Sequence, residues 1–453
     1  MRNLTVVVIL SASLGPAFGQ NAISKTEPFQ SAATRFTIDP ESGSRLPLLT
    51  REAMDDDASA RIYDTLAGPG GNAPHGTIAI ALYSPATAEA VGRIYNYLRT
   101  ESALGPRLFE LISLIAAREM NLAYEWSAHE RTGLQAGLPP AVVEVVRTSG
   151  PVAGLSSFDA LIIDFGRQLF RNRHVDSDTF AALVQRQGRQ ETFDVIMALA
   201  YHTMAGVLQR AVDQRPPEGW EPAALPAVAG VGTPTGRPGE FVTVGPRPPL
   251  PPDVYEDSYY RFPLLRREEL DPRSREIFDR LVGNDRDTAP RGPVGMTFNS
   301  PELVEPVQRL NTLLRVNGVL DKRMAEIIIT ATGREMNSQY QWTVHGAAAE
   351  QAGAEQHVLE AIRVDGDLSG LDDRDAVAIA FTRELFREGT VGLETFAAAV
   401  DLFGTQGTVE IAALIGDYLM ITTLYNALGM RLRSDQTPTL PHRAGAPVGA
   451  EWR

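Results

Sequence analysis

Two stretches of this chain carry one signature, and that repetition limits the fold more than any other feature. Arg118, Glu119, Met120, Asn121, Tyr124, Trp126 and His129 recur in the same order and spacing at Arg334, Glu335, Met336, Asn337, Tyr340, Trp342 and His345. The shift is 216 positions throughout (118 to 334, 129 to 345). The whole chain holds only four Trp and seven His, so a shared register of both types marks a duplicated unit. Weaker matches extend it: Arg45-Leu-Pro with Arg261-Phe-Pro, Ser84-Pro85 with Ser300-Pro301, Phe165 with Phe381, and Gly188 with Gly404. Each copy is domain-sized, whereas a solenoid needs at least three shorter repeats.

The predicted organisation follows. Residues 1–19 read as a secretory signal peptide, with Arg2, an apolar run from Leu4 to Leu14, and Ala17-Phe18-Gly19 before the cut. The expected location is therefore periplasmic or secreted. The first copy spans 45–213 and the second 261–433. Between them, 214–256 is rich in proline and glycine and reads as an extended linker. Residues 20–44 and the tail 434–453 read as loose ends, and no segment beyond the signal peptide is expected to span a membrane.

Within each copy apolar residues recur with helical period. Ser84-Pro85 has the pattern of a helix start, ahead of Ala88, Val91, Ile94, Tyr95 and Leu98 on one stripe. Leu108, Leu111, Ile112 and Ile115 form another. Asn121 is the expected N-cap of a helix through Ala136, with Gly137 as its stop, and further helices are expected near 158–171, 177–187 and 191–211. Strand alternation is scarce, so the class is all-α.

Composition removes several functions. The formal net charge of −14 argues against nucleic acid or an anionic membrane as the main partner. The absence of cysteine excludes disulfides, thiolate catalysis and thiolate metal sites. No two histidines show helical ligand spacing, so no metal site is expected, and acid–base chemistry by His and Glu needs no organic cofactor either.

The remaining chemistry centres on one helix. Glu125 and His129, spaced i,i+4, share a face, with Trp126 at its border. Glu110 lies one helix earlier among apolar residues, where a carboxylate needs a partner. If the chain folds back near Asn121, Glu110 reaches His129. Such a pair is either a general acid/base unit or an internal strut between helices. Arg107 and Arg118 are candidate anchors for a substrate carboxylate, and His202 a candidate lining residue. The second copy keeps Glu326, His345, Trp342, Arg323 and Arg334, but Gln341 stands where the first has Glu125. His174, His357 and His442 read as surface residues.

The run from Glu110 through Arg118, Glu119, Asn121, Tyr124, Glu125, Trp126 and His129 to Gly137 resembles the carboxymuconolactone decarboxylase family, and the second copy resembles it too. The resemblance implies two tandem domains of the alkylhydroperoxidase D-like helical fold. It implies a lyase acting on a small carboxylic acid or lactone, with Glu110, Glu125, His129, Glu326 and His345 catalytic. Arg107, Arg118, Trp126, His202, Arg323, Arg334 and Trp342 would then bind substrate. The family's peroxidase branch uses a Cys-x-x-Cys pair, whose positions here are Leu122 and Glu125, so thiol peroxidase activity is not expected. Members commonly form rings, which implies a homo-oligomer. The rival from another class is a non-catalytic exported ligand-binding or scaffold protein.

Overall fold

The protein is described by a computed structural model covering residues 35–447 and 449, apart from 69, 70, 72, 217–224, 229–234, 244 and 246. The proposed signal peptide lies outside the described residues. The chain is mostly helical; its one named sheet among the described residues is a two-stranded antiparallel pair, Phe241–Val242 with His442–Arg443.

The helices start where local chemistry supplies a cap. Asp56, Ser156, Asp271, Asp321 and Asp372 each accept a backbone N–H from the first turn that follows. Ser84 precedes the Pro85–Asn96 helix as expected, but its hydroxyl does not cap it. It donates instead to Glu410 at 2.9 Å, from the other half of the chain. Asn121 is not an N-cap either. It turns left-handed (φ 57), as does Asn337 (φ 54), so each reverses the chain between two helices. Gly188 and Gly404 break the last long helical run of each half at φ 85 and 72, a conformation only glycine adopts cheaply.

One core runs through both halves. Phe193, Ile196 and Met204 of the Arg189–Ala211 helix share it with Ile415, Met420 and Leu424 of the Leu393–Leu428 helix. These two helices pack along each other, and a Cβ on Gly416 would sit 3.2 Å from the Met204 backbone, so close approach requires glycine there. By length and apolar content Leu393–Leu428 is sufficient to span a membrane, contrary to the reading from sequence, yet the qualifying stretch is entirely buried in the protein. It is a core helix of the fold.

The tail is not loose. Arg443 is fully buried and bonds Glu335 at 2.8 and 2.9 Å and Asp365 at 2.9 Å. His442, expected on the surface, is 3% exposed and bonded to Asn337. Residues 35–44 also pack inward, with Phe36 edge-on to Phe396 and Ser42 and Ser44 buried. Each half fastens a later segment through the same residue: Arg118 donates to the Pro226 carbonyl at 3.0 Å, and Arg334 to the Pro441 carbonyl at 2.7 Å.

Candidate active site

The helices Gly105–Glu119 and Ala123–Gln135 form a hairpin, because the left-handed turn at Asn121 folds the second back along the first. That crossing brings His129 Nδ1 to 2.7 Å from Glu110 Oε2. Thr132 Oγ1 donates to the same carboxylate oxygen at 2.7 Å. On the other side of the ring, His129 Nε2 stands 3.3 Å from Glu125 Oε2. The Arg189–Ala211 helix adds His202, whose Nδ1 is 3.0 Å from the same Glu125 oxygen. Gln209 from that helix donates to Glu125 Oε1 and, at 3.0 Å, to Thr77 Oγ1. Glu110, Glu125, His129 and His202 are all buried.

Burial opposes charge on each of these groups, and the hydrogen bonds decide the outcome. For Glu125, burial is outweighed by hydrogen bonds from His129 and His202, which hold the carboxyl far below its ordinary range. Glu110 is lowered for a like reason, chiefly by His129 against burial. His129 is buried, yet two carboxylates on opposite edges push it up to about 9. His202 goes the other way, since its burial outweighs the pull of Glu125.

Glu125 and His129 line a cavity of about 270 Å³, with His75, Tyr95, Arg99, Tyr124, Arg131, Thr132 and Tyr201 among the other lining residues. That is the liquid volume of roughly nine waters. His75, Ile78 and Tyr95 also border a larger groove of about 1220 Å³ beside the Pro85–Asn96 and Pro301–Thr312 helices, so the cavity adjoins a route to solvent. Arg99 lies 3.9 Å from Glu110 and bonds the Tyr95 hydroxyl at 2.7 Å, while its side chain keeps 41% of its surface exposed.

The arginines expected to bind substrate are engaged elsewhere. Arg107 makes a two-pronged pair with Asp159 at 2.9 and 3.0 Å, and its counterpart Arg323 pairs with Asp375 at 2.8 and 2.7 Å. Arg118 and Arg334 are buried on backbone carbonyls, and none of the four lines the cavity. Trp126 is wholly buried with its N–H on Glu130 at 2.9 Å, and Trp342 donates to Thr439 at 3.0 Å, so both are packing residues. His202 does not line the cavity; it stands behind it, on Glu125. Arg99 was missed because it sits on an irregular turn, Tyr97–Glu101, where apolar period gives no face. Its matching Arg315, at the same 216-residue shift, was the available signal.

The second half makes a reduced version. His345 Nδ1 bonds Glu326 at 2.9 Å, and Arg315 donates to Glu326 at 2.7 Å. Where the first half has Glu125 and His202, the second has Gln341 and Tyr418. Tyr418 meets the His345 ring edge-on at 4.9 Å, and Gln341 Oε1 has no hydrogen-bond partner. Burial and Arg315 keep the His345 pKa low despite Glu326.

Geometry and charge thus define a helical protein with a buried two-carboxylate, two-imidazole cluster beside a cavity lined by Arg99. Glu125, His129 and His202 each offer one ligand atom, all within 4.8 Å of one another. No family model matches the chain, and no curated protein matches it.

Proposed function

We propose that the first half of the chain houses an acid–base enzyme acting on a small carboxylated organic compound or lactone. In this reading the chain is an exported, tandem member of the carboxymuconolactone decarboxylase family, two alkylhydroperoxidase D-like domains joined by a linker and assembled as a homo-oligomer. The observation that carries it is the Glu110–His129–Glu125 chain, at 2.7 and 3.3 Å, with the last two residues on the wall of a cavity that also presents Arg99.

Arg99 anchors the substrate carboxylate, since a guanidinium pairs with it in a fixed two-pronged geometry. Loss of that carboxylate as CO2 breaks its C–C bond and leaves the electron pair on the neighbouring carbon, and the cluster at the His129 edge supplies the proton that takes it up. Glu110 holds the ring by Nδ1 and so aims Nε2 at Glu125 on the cavity wall. Thiol chemistry has no place in this reading, because the chain has no cysteine.

Turnover of a panel of small carboxylated lactones and keto acids tests it, compared between the native chain and His129→Gln. Product formation that disappears in a variant of unchanged helicity supports the reading. Tight ligand binding with no product from any panel member would favour the non-catalytic binding protein instead.

A further inference from the structure

The geometry points to a site for one divalent first-row transition-metal ion, of which zinc is the type, bound by Glu125, His129 and His202. This goes beyond the proposed reaction and stands on the donor atoms alone.

The proton positions make the case. Ser113 gives its hydroxyl hydrogen to the Phe109 carbonyl at 2.8 Å, so its oxygen must accept at 2.8 Å from His202 Nε2. A proton on Nε2 of a neutral ring leaves Nδ1 bare, and that lone pair faces Glu125 Oε2 at 3.0 Å. His129 repeats the pattern. Its Nδ1 meets a carboxylate, which only accepts, so the proton sits there and a neutral ring turns a bare Nε2 toward the same Glu125 oxygen at 3.3 Å. Three electron-rich atoms therefore converge on one buried point. They repel one another unless positive charge lies between them: the extra proton that the ion-free protein keeps on His129, or a metal ion in its stead.

The spacing suits a metal ion. Bonds of about 2.0–2.1 Å in tetrahedral array put neighbouring ligand atoms about 3.3 Å apart. The outer contacts are those that ligands require: a carboxylate behind His129, a hydroxyl behind His202, and the Gln209 amide on the free oxygen of Glu125. Three protein ligands with two on a cavity wall leave a fourth position open, the arrangement of a catalytic rather than a structural ion. An ion there would pass the proton-carrying role from His129 to its bound water, beside Arg99.

The second half is the internal control. It retains the Glu326–His345 pair but has Gln341 and Tyr418 at the other two ligand positions. Both donors differ together while the surrounding fold is kept.

The test uses the full-length chain, stripped with chelator and titrated with Zn²⁺ by calorimetry and with Co²⁺ by visible absorption. One equivalent per chain is expected, with the intense bands of four-coordinate cobalt. Glu125→Gln and His202→Tyr install the residues the second half already accommodates, and each should weaken binding at least 100-fold. Should either fail to fold, Ser113→Ala should still weaken it about 10- to 100-fold. No binding at micromolar metal overturns the site, and so does stoichiometric binding that survives these variants. Turnover by metal-free chain that binds no ion would sink the metal site and leave the acid–base reading intact. A bound ion without turnover of any carboxylated compound would do the reverse.

Discussion

His129 and Glu125 sit one helical turn apart, with Nε2 and Oε2 separated by 3.3 Å, and this contact is what distinguishes the first half of the chain from the second. In the second half Gln341 takes the carboxylate's place. The two imidazoles then diverge, His129 rising to about 9 and His345 falling below its ordinary value, although each keeps its glutamate behind Nδ1.

In chelator-treated protein, Glu125→Gln should therefore bring the His129 titration down from about 9 to near or below neutrality, as followed by NMR of the ring. The sign also fixes a stability effect. A histidine raised in the folded state adds stability that is complete below its unfolded value of about 6.5 and lost as pH rises through about 9. Denaturant midpoints of the native chain and the variant should converge above that pH. An unchanged His129 titration in the variant would show that Glu125 is not the second partner.

Arg99→Ala should raise KM for a carboxylated substrate by about 10- to 100-fold, the loss of one charged hydrogen-bonded contact, with kcat changed less. Arg107→Ala is the contrasting variant. It strands Asp159, which is 3% exposed, and should lower the melting temperature without a selective rise in KM. Equal KM effects from both would remove the anchor assignment.

His345→Gln should leave turnover within about twofold while costing stability, because the second-half pair lacks the other two members of the cluster. Loss of activity equal to that of His129→Gln would put a working site in both halves.

Asp194 and Asp417 are buried, and each has one oxygen without a hydrogen-bond partner. Burial raises both to about 7. A carboxyl raised on folding favours the native state at low pH, and that advantage fades as pH climbs from about 4 to about 7. Asp417→Asn should accordingly raise the melting temperature at pH 8 and change it little at pH 4. A stability gain independent of pH would refute a charged Asp417 at pH 8.

Arg443 joins the tail to Glu335 and Asp365, and each partner's side chain is only 1% exposed. Arg443→Ala should lower stability in chemical denaturation by less than the about 3–5 kcal/mol of a fully stranded buried charge, because Arg387 still pairs both carboxylates. For Glu335, burial is outweighed by Arg443 and Arg387, which lower its pKa on folding. Its contribution is full above the unfolded value near 4.5 and is lost as pH falls through the folded one. The native chain should therefore lose more stability on acidification than the variant.

The amino-acid sequence by itself determined the helical class, the duplicated signature and the meeting of Glu110 with His129. All three are local or periodic: a 3.6-residue stripe, a repeat register, and a buried carboxylate that needs a partner one helix away. Tertiary structure decided the rest. His202 reaches Glu125 from a helix 77 positions further along, and no spacing rule spans such a gap. Which arginine faces the cavity was also a packing outcome. Arg107 and Arg118 look as suitable as Arg99 along the chain, but the first found Asp159 and the second a proline carbonyl. The tail was misread for the same reason. Its proline-rich composition forbids helix, yet says nothing of Glu335 and Asp365, whose buried charges draw Arg443 inward. Periodicity reports which face of an element is buried, and only the assembled helices settle what that face meets.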